Sequence, residues 1–72
     1  MKTKYKYIHF TEDKDNAAWL CMNTKHSDLL GWVDYNSGWK QHVFTAAGND
    51  IIFSASCLDD ISHFMKQLDA KK

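Results

Sequence analysis

The chain has 72 residues, 44% hydrophobic and 14% aromatic, and its nine Lys and Arg offset nine Asp and Glu to a formal net charge of zero. That length holds one domain, residues 1–72, which buries only about 60% of the surface its unfolded form exposes; the aromatic content suits a packed domain better than a disordered tail. Zero net charge argues against attachment to nucleic acid or anionic lipid by bulk charge and against an acidic DNA mimic, and every basic residue is Lys, so the planar Arg fork that reads guanine or clamps phosphate is missing.

The start, Met1 to Lys6, is charged but has no apolar run behind it, so neither a secretory signal nor a membrane span is expected. Lys4 to Phe10 alternates, with Tyr5, Tyr7 and His9 on one side and Lys4, Lys6, Ile8 and Phe10 on the other, which is strand periodicity. Glu12 to Asn16 is a polar turn. Ala17 to Asn23 is a continuous apolar run, read as a buried strand because a hairpin with the first segment has a plausible loop; a short helix capped by Thr11 or Asp15 is the alternative. Lys25 to Asp28 forms the next turn.

Leu29 to Tyr35 and Trp39 to Thr45 flank Asn36-Ser37-Gly38, which reads as a three-residue hairpin loop with Gly38 in the left-handed conformation. That loop pairs Tyr35 with Trp39, Asp34 with Lys40, Val33 with Gln41, Trp32 with His42 and Leu30 with Phe44. The aromatic and opposite-charge pairs are each worth roughly 0.2–1 kcal/mol. Ala47 to Asp50 turns the chain into a short β-rich run, Ile51 to Ser54. A helix then follows Ser56 as cap, with Asp59 as capping-box partner and Asp59 and Asp60 at the positive end of the helix dipole. Leu58, Ile61, Phe64, Met65 and Leu68 form its apolar stripe, and Lys66, Lys71 and Lys72 suit its negative end. The expected architecture is α+β: a small two-layer domain, an antiparallel sheet of four to five strands with one C-terminal amphipathic helix packed on one face.

Chemistry is thinly represented. Four His and two Cys offer ligand atoms, but no C-x-x-C or H-x-x-x-H spacing occurs, so no metal is expected. Cys57 near a helix N-terminus has a physical route to reactivity, yet a nucleophile needs a base, an orienting group and a pocket; packing against the sheet is the simpler reading of Cys57, as capping is of Asp59 and Asp60. Cys21 and Cys57 lie in apolar patterns, like buried reduced thiols of cytoplasmic proteins. No catalytic residue and no cofactor are therefore expected. In the hairpin register above, one face carries Leu29, Val33, Tyr35, Trp39 and Val43 and the other Leu30, Trp32, His42 and Phe44. Both are apolar and one helix covers one face, so aromatic surface remains for a protein partner or a second copy unless the N-terminal half folds over it. The candidate binding residues are Trp32, Tyr35, Trp39, Lys40 and His42. Single-stranded nucleic acid is the alternative partner: Trp32 and His42 would stack on bases, with Lys40, Lys2, Lys4 and Lys6 as a rim.

The stretch Leu30 to Phe44 (L-G-W-V-D-Y-N-S-G-W-K-Q-H-V-F), followed by Cys57 to Leu68 (C-L-D-D-I-S-H-F-M-K-Q-L), resembles a group of short, functionally uncharacterised proteins met in bacteria, phages and other mobile elements. Their features are a glycine-containing strand, a W-[KR]-x-aromatic-x-F strand and a C-L-x-D-I-x-x-F helix. Trp39, Lys40 and Phe44 match the strand, and Cys57, Leu58, Asp60, Ile61 and Phe64 match the helix. His42 stands where an aromatic is usual, and Thr45-Ala46 lacks a proline that often follows the Phe. The resemblance covers a little over half of the chain and carries no activity. It implies a cytosolic protein with a link to mobile elements, of the kind that binds host machinery.

Overall fold

A computed structural model describes residues 1–70. Four strands form one antiparallel sheet in the order β1-β2-β3-β4, followed by one helix: β1 is Ile8–Asp13, β2 Ala18–Asn23, β3 Leu29–Asn36, β4 Gln41–Ala46 and α1 Ala55–Ala70. The small α+β domain is as the pattern of elements indicated.

β1 begins later than its alternation suggested. Ile8 and Phe10 enter the core, but Lys4 to Tyr7 does not continue the strand: the chain bends at Lys6–Tyr7 and doubles back along the free edge of β1. Phe10 N donates to Thr3 O (2.8 Å), Tyr5 N donates to Ile8 O (2.8 Å), and Lys4 bridges His9. This return lays Tyr5 edge-on to Phe10 and within 2.8 Å of His63 Nδ1, while Lys2 and Gln67 exchange two hydrogen bonds. The N-terminal segment thus covers an edge and straps the helix, in place of a fifth strand.

The apolar run at Ala17 to Asn23 is a strand, not a helix, and pairs Phe10 with Cys21 on one side and Cys21 with Gly31 on the other. A bulge interrupts the β2–β3 ladder: Cys21 faces Gly31, but Met22 faces Leu29, leaving Leu30 as the extra residue that packs against the core.

The β3–β4 hairpin corrects the expected register. Tyr35 pairs with His42, Asp34 with Val43, Val33 with Phe44 and Trp32 with Thr45, so every partner is displaced by three residues, and Trp39 and Lys40 lie in the turn. The loop has four residues, Ser37 to Lys40, because Asn36 organises it: its Oδ1 accepts from Trp39 N (2.9 Å) and its carbonyl from Lys40 N (2.7 Å). Lys40 takes the left-handed conformation (φ 58°), and Gly38 does not. An odd displacement reverses the faces of β4 relative to β3. Val33, Tyr35, His42 and Phe44 therefore share the helix side, and Trp32, Asp34 and Val43 share the other. Neither of the two expected face groupings survives.

Ile51 to Ser54, expected as β-rich, joins no ladder; Phe53 instead packs edge-on to Phe44 (5.5 Å). The helix starts at Ala55, one residue before the expected cap. Ser54 Oγ accepts from Cys57 N (3.2 Å), so Ser54 fills the capping role assigned to Ser56, and Asp59 and Asp60 fall beyond the first turn. Cys57, Ile61, Phe64, Met65 and Leu68 form the inward stripe, whereas Leu58, expected in it, is 52% exposed. Lys66 stands short of the last turn, and Lys71 and Lys72 lie outside the described residues. The core is Ile8, Phe10, Cys21, Val33, Ile61 and Phe64. Phe64 stacks on Phe10 (centroids 3.9 Å, planes 2° apart) and receives Trp19 edge-on at 5.3 Å, the second of these being an edge geometry that aromatic quadrupoles favour.

Candidate functional site

The five candidate residues, with Trp32 and His42 expected on one face of the hairpin and Tyr35 and Trp39 on the other, occupy three places. Trp32 lies on the sheet face away from the helix, directly across from Leu20 on β2. Tyr35 and His42 lie on the helix side, edge-on at 5.4 Å. Trp39, 69% exposed, and Lys40 stand in the β3–β4 turn. His42 has a structural partner: Asp69 Oδ1 accepts from both His42 N (3.0 Å) and His42 Nδ1 (2.7 Å). One carboxylate near the end of α1 thereby caps the free edge of β4 and fixes the imidazole with its proton on Nδ1.

The helix-free face is built by alternation. Cys21, Trp19, Val33 and Phe10 point toward α1, so their neighbours point away: Leu20 and Met22 from β2, Trp32 from β3 and Val43 from β4, all half-buried by one another with no second layer above them among the described residues. Leu29, paired with Met22 beyond the bulge, extends this strip and is exposed. At the end of the face nearest the β1–β2 turn, Asp13, Asn16, Ala18, Leu20, Trp32 and Asp34 line a shallow depression of about 390 Å³. Asn16 Nδ2 donates to Asp13 Oδ2 (2.8 Å), which holds the Asp13 carboxylate at the rim. The arrangement is an indole and a leucine flanked by two carboxylates, chemistry suited to an apolar contact with cationic neighbours. Among the described residues no lysine lines this depression, and Trp32 and His42 lie on opposite faces of the sheet, so the two rings do not share one stacking platform.

Leu20, Met22, Asp13 and Asp34 were not singled out from the sequence. Their signal is the unbroken apolarity of Ala17 to Asn23, which in a strand means that both faces are apolar.

The thiols behave as packing groups. Cys21 is fully buried between β1 and β3, and burial, with a smaller contribution from nearby Cys57, pushes its thiol up to about 12. Cys57 is half-buried against the core, and neither cysteine is in a disulfide. Burial, then the Asp60 carboxylate, raises the Tyr5 phenol above its ordinary value. Among the described residues, no three His, Cys, Asp or Glu side chains converge as a metal would require, and no helix is long and apolar enough to cross a membrane. Compared with protein-family models, with curated proteins and with solved structures, the chain finds no match in any of the three.

Proposed function

We propose that this protein is a small non-enzymatic interaction module that binds a protein partner through the helix-free sheet face centred on Trp32. The observation that carries the reading is the apolar strip Leu20, Met22, Trp32 and Val43, laid across three strands with no covering layer among the described residues. An uncovered strip of this kind on a small domain marks an association surface. The carboxylates of Asp13 and Asp34 beside the indole favour a protein partner with basic groups over single-stranded nucleic acid, whose phosphates they would repel. The two free thiols support a cytoplasmic setting, and the likeness of Leu30 to Phe44 and Cys57 to Leu68 to small phage and mobile-element proteins supports a role in modulating host machinery.

The test is partner capture by the wild type and by Trp32→Ala and Val43→Lys, with folding followed by circular dichroism. Both variants are expected to retain the wild-type spectrum and lose capture. Capture unchanged by either substitution, or binding of a single-stranded oligonucleotide that weakens steeply with salt, would refute the reading.

A further inference from the structure

The open face is polarised along its strands. At one end stand Asp13 and Asp34, lining the depression with Trp32. At the other, His9 and Lys4 line one depression with Thr24, and Lys6, Lys25 and His26 line the next; Asp28 is the carboxylate of that loop. Lys14 and Lys40 sit on the turn tips beyond the acidic end, outside the depression that the carboxylates line. The middle is the apolar strip. Such a surface is complementary to itself when turned end over end.

We propose that the occupant of this face is a second copy of the chain, packed sheet on sheet with its strands running in the opposite sense. This rests on the reading of the helix-free face as an interaction surface. Two sheets pack face to face about 10 Å apart with strand axes within about 30°, and a two-fold pair presents the same patch from each copy. Only two such axes lie between the sheets along their natural directions. An axis parallel to the strands sets acidic end over acidic end, bringing Asp34 of each copy near its counterpart close to the middle of the sheet. An axis perpendicular to the strands sets β1 on β1 and β3 on β3 with ends exchanged. Asp13 then meets His9 and Lys4, Asp34 comes over Leu29 beside the Lys25–His26 loop, and Trp32 and Leu20, in the row midway between the ends, lie against their own counterparts at the axis. Like charges face each other in the first arrangement and opposite charges in the second, and this selects the second. The face measures roughly 19 by 18 Å from strand spacing and rise, about 340 Å² in outline per copy and about 680 Å² for the pair, below the roughly 1,200–2,000 Å² buried by stable specific interfaces, so the dimer is a weak one.

Sedimentation equilibrium on the full chain, from roughly 10 µM to 1 mM, reads association in the range where a weak Kd falls. Two charge-reversed variants test the geometry: Asp13→Lys with Asp34→Lys, and Lys4→Glu with Lys25→Glu, the second altering only exposed side chains. Alone, each sets like charges together at both contacts and is expected to associate at least about tenfold more weakly than wild type. Mixed in equal amounts, each acidic end meets a basic one, and association is expected to return to within about threefold of wild type. A wild type that stays monomeric throughout overturns the second-copy proposal; the interaction reading then survives only if Trp32→Ala abolishes capture of another protein. A wild-type dimer with no rescue in the mixture overturns the end-over-end arrangement. A dimer indifferent to Trp32→Ala overturns both.

Discussion

Gly31 sits mid-strand in β3 where the structure leaves no room for a side chain. A Cβ there would lie 2.3 Å from Thr45 O and 2.5 Å from Phe44 Cζ. The Phe44 ring can turn aside in part, but Thr45 O is backbone, so relief requires β4 to move away by nearly an ångström and weakens the ladder from Gly31–Ala46 to Val33–Phe44. Overpacking of this kind costs about 1–3 kcal/mol, and one weakened ladder bond adds about 0.5–1.5 kcal/mol. The lower chain entropy of an unfolded alanine offsets about 0.4–1 kcal/mol. Gly31→Ala should therefore destabilise by about 2–3 kcal/mol. With an unfolding entropy near 2.1 cal/mol/K per residue, a chain of this length loses about 13–20 °C in Tm. Thermal and urea unfolding, followed by tryptophan fluorescence and circular dichroism, measure the change. Gly38→Ala is the control: its φ is not positive, and its nearest neighbour is Asn36 Oδ1 at 3.3 Å, so it should change stability by less than about 0.5 kcal/mol. A Gly31→Ala protein melting within about 3 °C of wild type, or no less stable than Gly38→Ala, would refute the close approach of β3 and β4.

The remaining predictions concern titration, the turns and the helix cap. The Cys21 thiol is held at about 12 in the fold against 9.0 for an ordinary thiol, so above pH 9 the unfolded chain sheds a proton that the native one keeps, and stability falls as pH rises. Between pH 8 and 10.5 the wild type should lose about 2 kcal/mol more than Cys21→Ala does, measured by urea unfolding at each pH; parallel curves would contradict the burial of the thiol. Lys40→Gly relieves a left-handed residue and should raise the urea midpoint by the equivalent of about 0.5–1 kcal/mol, an effect that the Gly38-centred turn does not produce. Ser54→Ala should cost about 1 kcal/mol and Ser56→Ala much less, compared by thermal melts; the reverse order would restore Ser56 as the cap.

The fold class was legible because its strongest signals are periodic. Ile8 and Phe10 alternate, and Ile61, Phe64, Met65 and Leu68 keep helical spacing, whatever the loops do. The β3–β4 register was not, because Gly38 is the more conspicuous turn residue and Asn36 the one that acts. All three hairpins share one device: Asp13, Asn23 and Asn36 open the turns, and Ala17, Ser27 and Lys40, each four residues later, close them at positive φ. At Asn23 the side chain accepts from both Lys25 N and His26 N, much as Asn36 accepts from Trp39 N. Residues without a glycine's freedom hold these left-handed positions, so a search for glycine overlooks them.

The same error explains which part of the candidate surface was found. Whether Trp32 points away from the helix depends on Val33 entering the core, a relation internal to β3 that no hairpin register can change. The placement of His42 depends on the register, and a displacement of three residues carried it to the helix side, where Asp69 engages it. Trp39 and Lys40 depended on loop length and left the sheet altogether. The charge argument has a similar limit. A net charge of zero bears on attraction at long range and not on how charges are distributed over one face; here Asp13 and Asp34 at one end and Lys4, Lys6 and Lys25 at the other largely offset one another in the sum while giving the open face a direction. Apolar area around Trp32 then supplies attraction without orientation, and the two charged ends supply orientation with little net attraction.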